Sequence, residues 1–219
     1  GTTSAAGFIL GDLYDYARPR LDEVLGRDDD TVRAARADAI AETGLAADAT
    51  DGEIADALRR LMATDVKSTP LKTLQGILWA EGFAAGEITS QFFDDVPPKL
   101  HAWADAGIRL VSYSSGSIAS QVPWYRHAPQ GDLTPLIEDW FDTVNAGPKK
   151  DAASYRTIAA SVGVAPERLL FLTDHPDEVA AALAAGWNVV ALDRAGEPWH
   201  GAAFAASAVS TFDDIEVTR

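Results

Sequence analysis

The stretch LVSYSSGSIAS (Leu110–Ser120) decides how the fold is interpreted. It opens with a short, mostly apolar run that is typical of a buried strand. The run stops at SSGS, residues 114–117, and a helical pattern follows. Hydroxyls and a glycine between a strand and a helix expose backbone N–H groups near the positive end of the helix dipole, which suits an anion. The turn is therefore a candidate phosphate cradle.

The same turn has a simpler interpretation, in which Ser115 or Ser117 only caps the following helix. The residues alone leave both interpretations open. A serine-hydrolase nucleophile elbow is excluded, because the GxSxG pattern needs a glycine on both sides of the serine and this turn has only one. No Asp and His follow in the order that would complete a catalytic triad.

Strands and helices alternate in the second half of the chain, after Pro97-Pro98. Such alternation predicts a parallel sheet with helices on both faces, and continuous apolar runs are typical of strands buried on both sides. Ligands of these sheets bind beyond the carboxyl ends of the strands. We predict strands at 108–113, 169–173 and 188–192, a short apolar segment at 140–144, and helices at 99–106, 118–127, 151–162 and 177–185.

The first half of the chain, from residue 4 to about residue 86, carries apolar residues at steps of three and four. This spacing predicts a small helical bundle. Thr50 and Glu53 have the spacing of a capping box. Thr69, as a cap, and Pro70, in the first turn, predict the start of another helix.

Asp174 closes an apolar strand in LLFLTDHPDE, residues 169–178. A carboxylate at the end of a buried strand is unfavourable unless it is paired or bound to a cation. Glu178 follows one helical turn later, so the oxygens of both side chains can face one point, and Mg²⁺ prefers such oxygen ligands with several waters retained. In the simpler interpretation Asp174 caps the next helix, and both interpretations can hold together.

The segment AGPKK, residues 146–150, supplies positive charge. A lysine after a glycine turn can reach a phosphate as a point charge, and we expect one of the two lysines to lie at the surface. The four histidines are scattered without the spacing of metal ligands, so none is given a catalytic role: His101, His127, His175 and His200.

The composition excludes several classes of protein and site. The net charge is −15, from 33 acidic and 18 basic residues, which argues against a nucleic-acid surface because such surfaces need clustered Lys and Arg. The absence of cysteine excludes disulfides, thiolate catalysis and cysteine-ligated metals. No apolar run approaches the ~20 residues that span a bilayer, and the chain does not open with a signal-peptide pattern. We expect a cytoplasmic monomer that binds neither nucleic acid nor membranes.

A serine turn, a lysine and an aspartate at successive strand ends resemble the ordered motifs of the haloacid dehalogenase superfamily. Within it, motifs over nearly the whole chain resemble the enolase-phosphatase family of methionine salvage. The superfamily motifs alone are weak, whereas LKTLQG together with YSSGS and GTT is specific. The matching motifs are GTTS at 1–4, KSTPLKTLQGILWAEGF at 67–83, YSSGS at 113–117, FDT at 141–143, GPK at 147–149, SYRTIA at 154–159 and FLTD at 171–174.

The resemblance implies an α/β fold with a Rossmann-like, parallel-sheet haloacid dehalogenase core at 1–9 and 91–219 and an inserted α-helical cap at 10–90. It implies an Mg²⁺-dependent phosphohydrolase whose substrate is a small phosphorylated metabolite. In the family, one active site enolises 2,3-diketo-5-methylthiopentyl-1-phosphate and then removes the phosphate.

The resemblance also implies which residues hold the phosphate. Ser114, Ser115 and Gly116 would bind the phosphate or the substrate, and Lys149 would steady the transferring phosphoryl group. The loop before the lysine is one residue longer than the family pattern. The choice of Lys149 over Lys150 therefore depends on where the extra residue lies.

Further residues take implied roles beside the phosphate. Asp174 would ligate the metal, and Glu178 would be an acid outside the metal's own ligands. In the cap, Gln75 and Trp79 would shape the substrate pocket, although packing explains Trp79 equally well.

In the family, Asp-x-Glu comes directly before GTT, at the end of a strand in the middle of the sheet. The aspartate is the nucleophile and a metal ligand, and the glutamate serves the proton transfers. The sequence begins at Gly1, so we expect a truncated start, poor folding and no turnover by the family mechanism in the chain as given. Two alternatives are another small-molecule phosphatase of the superfamily and a non-catalytic relative that keeps a phosphate-binding pocket.

Overall fold

The computed structural model of the protein describes residues 1–64, 66 and 68–217, without the side chains of residues 9 and 10. Lys67, the first residue of the cap motif, lies outside the described residues. Within them, no helix combines the length and the hydrophobicity that crossing a membrane requires.

The chain divides into two compact units, a helical unit at Ile9–Thr89 and an α/β unit that combines Gly1–Phe8 with the chain from Ser90 onward. The helices are α1 (Ala6–Phe8), α2 (Tyr14–Ala17), α3 (Leu21–Leu25), α4 (Asp30–Thr43), α5 (Asp51–Ala63), α6 (Thr69–Ala84), α7 (Val96–Asp105), α8 (Ile118–Arg126), α9 (Ala152–Val162) and α10 (Pro176–Ala184). The strands are β1 (Leu110–Tyr113), β2 (Ile137–Phe141), β3 (Leu170–Thr173), β4 (Asn188–Leu192) and β5 (Ser207–Val209).

The helical unit is built around α3 to α6. The capping box predicted at Thr50 and Glu53 is confirmed: the Thr50 N–H donates to Oε2 of Glu53 over 2.8 Å, and the Glu53 N–H donates to Oγ1 of Thr50 over 3.3 Å. These bonds satisfy N–H groups at the start of α5 that have no partner within the helix. The core is formed by apolar side chains that are each at most 5% exposed: Leu21, Val24, Leu25, Val32, Ile54, Leu58, Met62, Leu71, Leu74 and Leu78.

The start of α6 corrects one sequence prediction. Thr69 is the first helical residue, and the cap is Ser68, whose backbone is extended and whose Oγ accepts the Leu71 N–H over 3.3 Å. A capping residue needs non-helical backbone angles, so Thr69 cannot serve. Pro70 lies in the first turn, as predicted.

Within the described residues of the α/β unit, all strand pairs are parallel, which confirms the predicted fold class. β1 pairs with β2, and β3, β4 and β5 form a second sheet. One continuous sheet, as strand alternation suggested, is not formed: among the described residues, no ladder joins β1 to β3. Each of these two strands therefore has one unpaired edge.

Two strands differ from the sequence prediction. The segment predicted at 140–144 is a strand that begins earlier, at Ile137. The charges of Glu138 and Asp139 interrupt the apolar pattern there, and Glu138 is exposed and bonds to Arg109, next to β1. The three-residue β5 was not predicted, because two of its residues are exposed and carry no apolar signal.

An aromatic cluster on α9 contacts both sheets. The Tyr155 ring lies 5.6 Å from the ring of Tyr113 in β1 and 5.1 Å from that of Phe171 in β3, and 5.5 Å from that of Trp187. Aromatic pairs at such separations add to the stability of a core beyond the area they bury. Tyr155 therefore packs against both β1 and β3, which share no hydrogen-bond ladder, and it positions their carboxyl ends relative to each other.

Candidate active site

The predicted phosphate- and metal-binding residues of the α/β unit follow the ends of three strands. The serine turn, residues 114–117, follows β1, the lysine loop, residues 142–150, follows β2, and Asp174 follows β3. The Ser114 N–H donates to the carbonyl of Phe141 over 3.1 Å, so the β1–β2 ladder continues into the serine turn. The pairing brings the turn and the loop to one edge of the sheet.

The serine turn leaves backbone N–H groups without a partner. The Gly116 N–H donates to Oγ of Ser114 over 3.1 Å. Ser117 has the capping position of α8, yet its side chain accepts no hydrogen bond from the helix. Among the described residues, nothing accepts a hydrogen bond from the N–H groups of Ser115 and Ser117. Two unpaired donors at the start of a helix are suited to an anion.

Lys149 and Lys150 have different environments. The Nζ of Lys149 lies 2.7 Å from Oε2 of Glu178, and the two side chains are 17% and 12% exposed. Lys150 pairs with Asp177 at 3.1 Å, where both side chains are more than half exposed. Lys149 is thus the more buried of the two lysines, and its Nζ also lies 5.7 Å from the centre of the Tyr113 ring.

The lysine loop is fixed by hydroxyl groups from β1 and α9. The hydroxyl of Tyr113 donates to the carbonyl of Gly147, and that of Tyr155 donates to the carbonyl of Lys149, each over 2.7 Å. Gly147 has φ of 106°, and a Cβ there would lie 2.6 Å from Oγ of Ser154. Only glycine fits both that backbone conformation and that space.

Asp174 contacts the first residues of the chain. Its Oδ1 accepts the hydroxyl of Thr2 over 2.7 Å, and its N–H donates to the same Thr2 oxygen over 3.2 Å. Its Oδ2 lies 3.4 Å from the amino group of Gly1, which is also 3.5 Å from Oε2 of Glu197. A Cβ on Gly1 would lie 2.6 Å from Asp174 Oδ2, so a side chain at this position would displace the carboxylate.

Burial and neighbouring charge shift the pKa of Asp174 in opposite directions. Burial alone would raise the pKa of its carboxyl group, but the amino group of Gly1 and the Thr2 hydroxyl outweigh burial and lower that pKa. Asp174 is therefore ionised in the folded protein at neutral pH.

The cap of α10 corrects the simpler interpretation of Asp174. His175 has the capping position, and its Nδ1 accepts the Asp177 N–H over 3.1 Å. Asp174 is turned towards Thr2 instead. The sequence analysis gave His175 no role, because an imidazole that caps a helix has no distinctive spacing.

Glu178 has partners other than those expected. The sequence spacing allows it to face the same point as Asp174; in the structure its Oε2 accepts the hydroxyl of Thr173 over 2.6 Å and pairs with Lys149. Glu178 is only 9% exposed. It therefore holds the lysine, and the two carboxylates have separate partners.

The donors around Asp174 suit a small hard cation better than an all-protein metal cage. In the described part of the chain, no three His, Asp or Glu side chains cluster in a way that could hold a metal ion. The carboxylate of Asp174 follows the end of β3 and is oriented by the hydroxyl of Thr2. Mg²⁺ binds through one or two carboxylates and keeps several waters, so Asp174 fits it.

A buried ion pair that the sequence analysis missed supports Thr2. The Nε of Arg194 donates to the carbonyl of Thr2 over 3.2 Å, and its two terminal nitrogens bond to Asp95 at 3.0 and 2.7 Å. Arg194 is 7% exposed. The partners are 99 positions apart in the chain, so no local pattern indicates the pair.

The two predicted cap residues lie on α6, in the helical unit. Gln75 is 3% exposed, and among the described residues its Nε2 has no hydrogen-bond partner. Trp79 donates from Nε1 to the carbonyl of Leu13 over 2.8 Å and stacks on Tyr14. These contacts give Trp79 a packing role.

Comparison with known proteins places the chain in a family. No family model matches it. The enolase-phosphatase E1 of Streptomyces avermitilis is 50% identical over 201 residues, which cover 91% of this chain and 84% of that protein.

The crystal structure of the UTR4 protein from Saccharomyces cerevisiae has a TM-score of 0.79 and 25% identity, and the match covers 98% of this chain and 96% of that one. An L-2-haloacid dehalogenase has a TM-score of 0.52 and 19% identity over 95% of this chain and 89% of its own, which shows the fold alone. The chain belongs to the enolase-phosphatase E1 family and has the haloacid dehalogenase fold.

Proposed function

We propose that the protein is an Mg²⁺-dependent phosphohydrolase of the enolase-phosphatase type, acting on a small phosphorylated metabolite. The observation that carries the proposal is the grouping, in one unit, of a buried lysine, an aspartate and N–H groups that are unpaired among the described residues, all of which follow strand ends. N–H groups and a lysine bind phosphate oxygens, and the aspartate suits a hard cation.

Each residue has a definite part in this proposal. Ser114, Ser115 and Gly116 form the turn that binds the phosphate oxygens. Lys149 balances the negative charge that the phosphoryl group carries as its bond to the leaving oxygen breaks. Glu178 holds the lysine in place through a contact of 2.7 Å.

The metal site is proposed on Asp174, oriented by the hydroxyl of Thr2. A bound Mg²⁺ would supply positive charge for the phosphate oxygens. Thr2 is itself held through its carbonyl by Arg194, so the carboxylate cannot turn away freely.

The substrate proposed from the family resemblance is 2,3-diketo-5-methylthiopentyl-1-phosphate, which would be enolised and then dephosphorylated. The relatives carry the name enolase-phosphatase E1. The helical unit is proposed as the inserted cap that the family resemblance implies. Its Gln75, whose Nε2 has no partner among the described residues, is proposed to bind a polar group of the substrate.

In the family, the nucleophile is the aspartate of an Asp-x-Glu pair that comes directly before the GTT motif. The unpaired edges of β1 and β3 are where the strand that carries this pair would lie. We therefore propose that an apolar strand ending in Asp-x-Glu completes both the sheet and the active site.

The test compares the chain that begins at Gly1 with one that carries such a strand directly before it. Phosphate release from the diketo phosphate is measured with Mg²⁺, with EDTA, and with other small phosphate esters. We expect Mg²⁺-dependent release only from the longer chain, with the diketo phosphate preferred. Strong release in EDTA from the chain that begins at Gly1 would contradict the proposal.

A further inference from the structure

Asp142 is a buried carboxylate to which the proposed function gives no role. It follows β2 and is 6% exposed. Its Oδ1 accepts the N–H groups of Val144 and Asn145 over 2.8 and 3.2 Å, and its Oδ2 accepts the N–H of Ile118 over 3.0 Å. A buried carboxylate with three donors on it is fixed in one orientation.

The two oxygens of Asp142 hold two different segments of the candidate site. Oδ1 closes the first turn of the lysine loop, and Oδ2 fixes the residue that directly follows the serine turn. Gln121 strengthens the same connection, because its Nε2 donates to the carbonyls of Gly116 and Phe141 over 2.8 and 2.9 Å. The serine turn and the lysine loop are thus joined by side chains as well as by the β1–β2 ladder.

The carboxylate also decides which donors remain for a ligand. The Asp142 carboxylate accepts the N–H of Ile118, the first residue of α8, so this donor is not available to a ligand. The N–H groups of Ser115 and Ser117 are left unpaired among the described residues. A negative charge at this point repels a phosphate by Coulomb's law, so a purely electrostatic Asp142 would weaken anion binding.

We propose that Asp142 is a positioning residue that fixes the serine turn against the lysine loop and thereby strengthens phosphate binding. The proposal rests on the phosphate site of the proposed function. If Asp142 positions the turn, removing its charge weakens phosphate binding; if it only repels the phosphate, removing its charge strengthens binding. One measured affinity therefore decides between the two roles.

The substitution that tests the proposal is Asp142→Asn. An asparagine keeps one oxygen and places an NH₂ group at the other position. Because Asp142 uses both oxygens, an N–H donor must then face another donor, either at Ile118 or in the lysine loop. The connection between the two segments is lost on one side with almost no change in side-chain volume.

Asp29 provides the matched control. It also accepts two backbone N–H groups, from Thr31 and Val32 at 2.9 and 3.0 Å, but both bonds end on the same oxygen, Oδ1. An asparagine can therefore replace it without losing an acceptor, and Asn and Asp cap helices about equally well. Asp29 belongs to the helical unit, whereas the serine turn and the lysine loop belong to the α/β unit.

Inorganic phosphate is titrated calorimetrically, at fixed Mg²⁺, into the chain that carries the proposed strand ending in Asp-x-Glu before Gly1, and into the Asp142→Asn and Asp29→Asn variants of that extended chain. Calorimetry gives the Kd and the fraction of binding-competent protein separately. We expect Asp142→Asn to raise the Kd about tenfold, as for the loss of a charged hydrogen bond, and Asp29→Asn to leave it unchanged. A role in folding alone would lower the competent fraction and leave the Kd as it was.

An unchanged or lower Kd in Asp142→Asn overturns the inference and leaves the proposed function standing. Absence of phosphate binding by the extended chain without further substitution overturns the proposed function and the inference with it. If Asp142→Asn does not fold, Asn145→Ala decides. It removes the side chain that accepts the Asp142 N–H at Oδ1 and donates from Nδ2 to the carbonyl of Trp140, while the Asp142 carboxylate stays. We then expect a smaller rise in Kd, and no rise overturns the inference.

Discussion

The Nζ of Lys149 and Oε2 of Glu178 lie 2.7 Å apart, and both side chains are largely buried. The same Glu178 oxygen accepts the hydroxyl of Thr173, at the end of β3. The lysine is therefore held from one side by a carboxylate that is itself fixed to the sheet. Its positive charge stays close to the strand ends where the phosphate is proposed to bind.

Lys149→Met is expected to lower phosphate release on the order of 10²–10³-fold, in a chain that carries Asp-x-Glu before Gly1. Methionine keeps the apolar stem beside the Tyr113 and Phe171 rings but removes the charge that the breaking bond requires, and the loss of one such group has this magnitude. Steady-state kinetics with added Mg²⁺ measures the effect, which more metal should not rescue.

Lys150→Met is the internal control, since Lys150 and its partner Asp177 are mostly exposed. An exposed ion pair contributes about 0–1 kcal/mol, so activity and stability should change little. If Lys150→Met abolishes activity while Lys149→Met does not, the assignment of the phosphate-binding lysine is wrong.

Glu178→Gln is expected to lower the free energy of unfolding by ~1–3 kcal/mol, because a charged lysine is left facing an amide in a buried site. The double variant Lys149→Met with Glu178→Gln should lose less than the sum of the two single variants. Chemical denaturation of all four proteins gives the coupling, expected at about 0.5–3 kcal/mol for two groups in contact. Strict additivity would show that the pair does not stabilise the fold.

The ends of the strands at the site were predictable from the sequence. At each of them a mainly apolar run stops, and a polar residue marks the point where it stops. β4 was predicted with its observed bounds, and β3 within one residue. The start of β2 was missed because Glu138 lies on its exposed face and bonds to Arg109, a partner that only the strand pairing brings close.

The contacts that orient the site were not predictable in this way. The spacing allowed Glu178 to face Asp174, but chain positions do not reveal that the Thr173 hydroxyl and Lys149 both bind the Glu178 carboxylate. Arg194 and Asp95 lie far apart in sequence, and each alone has the pattern of an ordinary surface charge. Long-range pairs of this kind depend on how whole elements pack.

Asp174→Asn is expected to weaken metal binding, because the amide replaces a charged oxygen ligand with a neutral one. Mn²⁺ can substitute as a paramagnetic probe, and its binding is followed by electron paramagnetic resonance without any substrate. Activity in the extended chain should recover partly at higher Mg²⁺, unlike that of Lys149→Met. The exposed Asp177 gives the control Asp177→Asn, which should bind Mn²⁺ normally; equal binding by the Asp174 variant would place the metal elsewhere.

Asp95→Asn is expected to destabilise the protein at neutral pH and less so in acid. Burial alone would raise the pKa of Asp95, but the Arg194 guanidinium and the Phe212 N–H outweigh burial and hold that pKa below its usual value near 3.8. A carboxyl group whose folded-state pKa is depressed stabilises the protein fully above its unfolded-state pKa of about 3.9. That stability is lost as the pH falls through the lower, folded-state pKa.

The expected loss for Asp95→Asn at pH 7 is on the order of 3 kcal/mol, because Arg194 would remain buried without its charged partner. Urea denaturation from pH 7 down to pH 3 should show the difference from the unsubstituted chain narrowing below about pH 4. Asp94→Asn, at the exposed neighbouring position, should change stability by no more than about 0.5 kcal/mol at any pH. If the stability difference between Asp95→Asn and the unsubstituted chain stayed constant across this range, the Asp95 carboxylate would contribute through shape rather than charge. Arg194 would then need another source of stabilisation to hold Thr2 against Asp174.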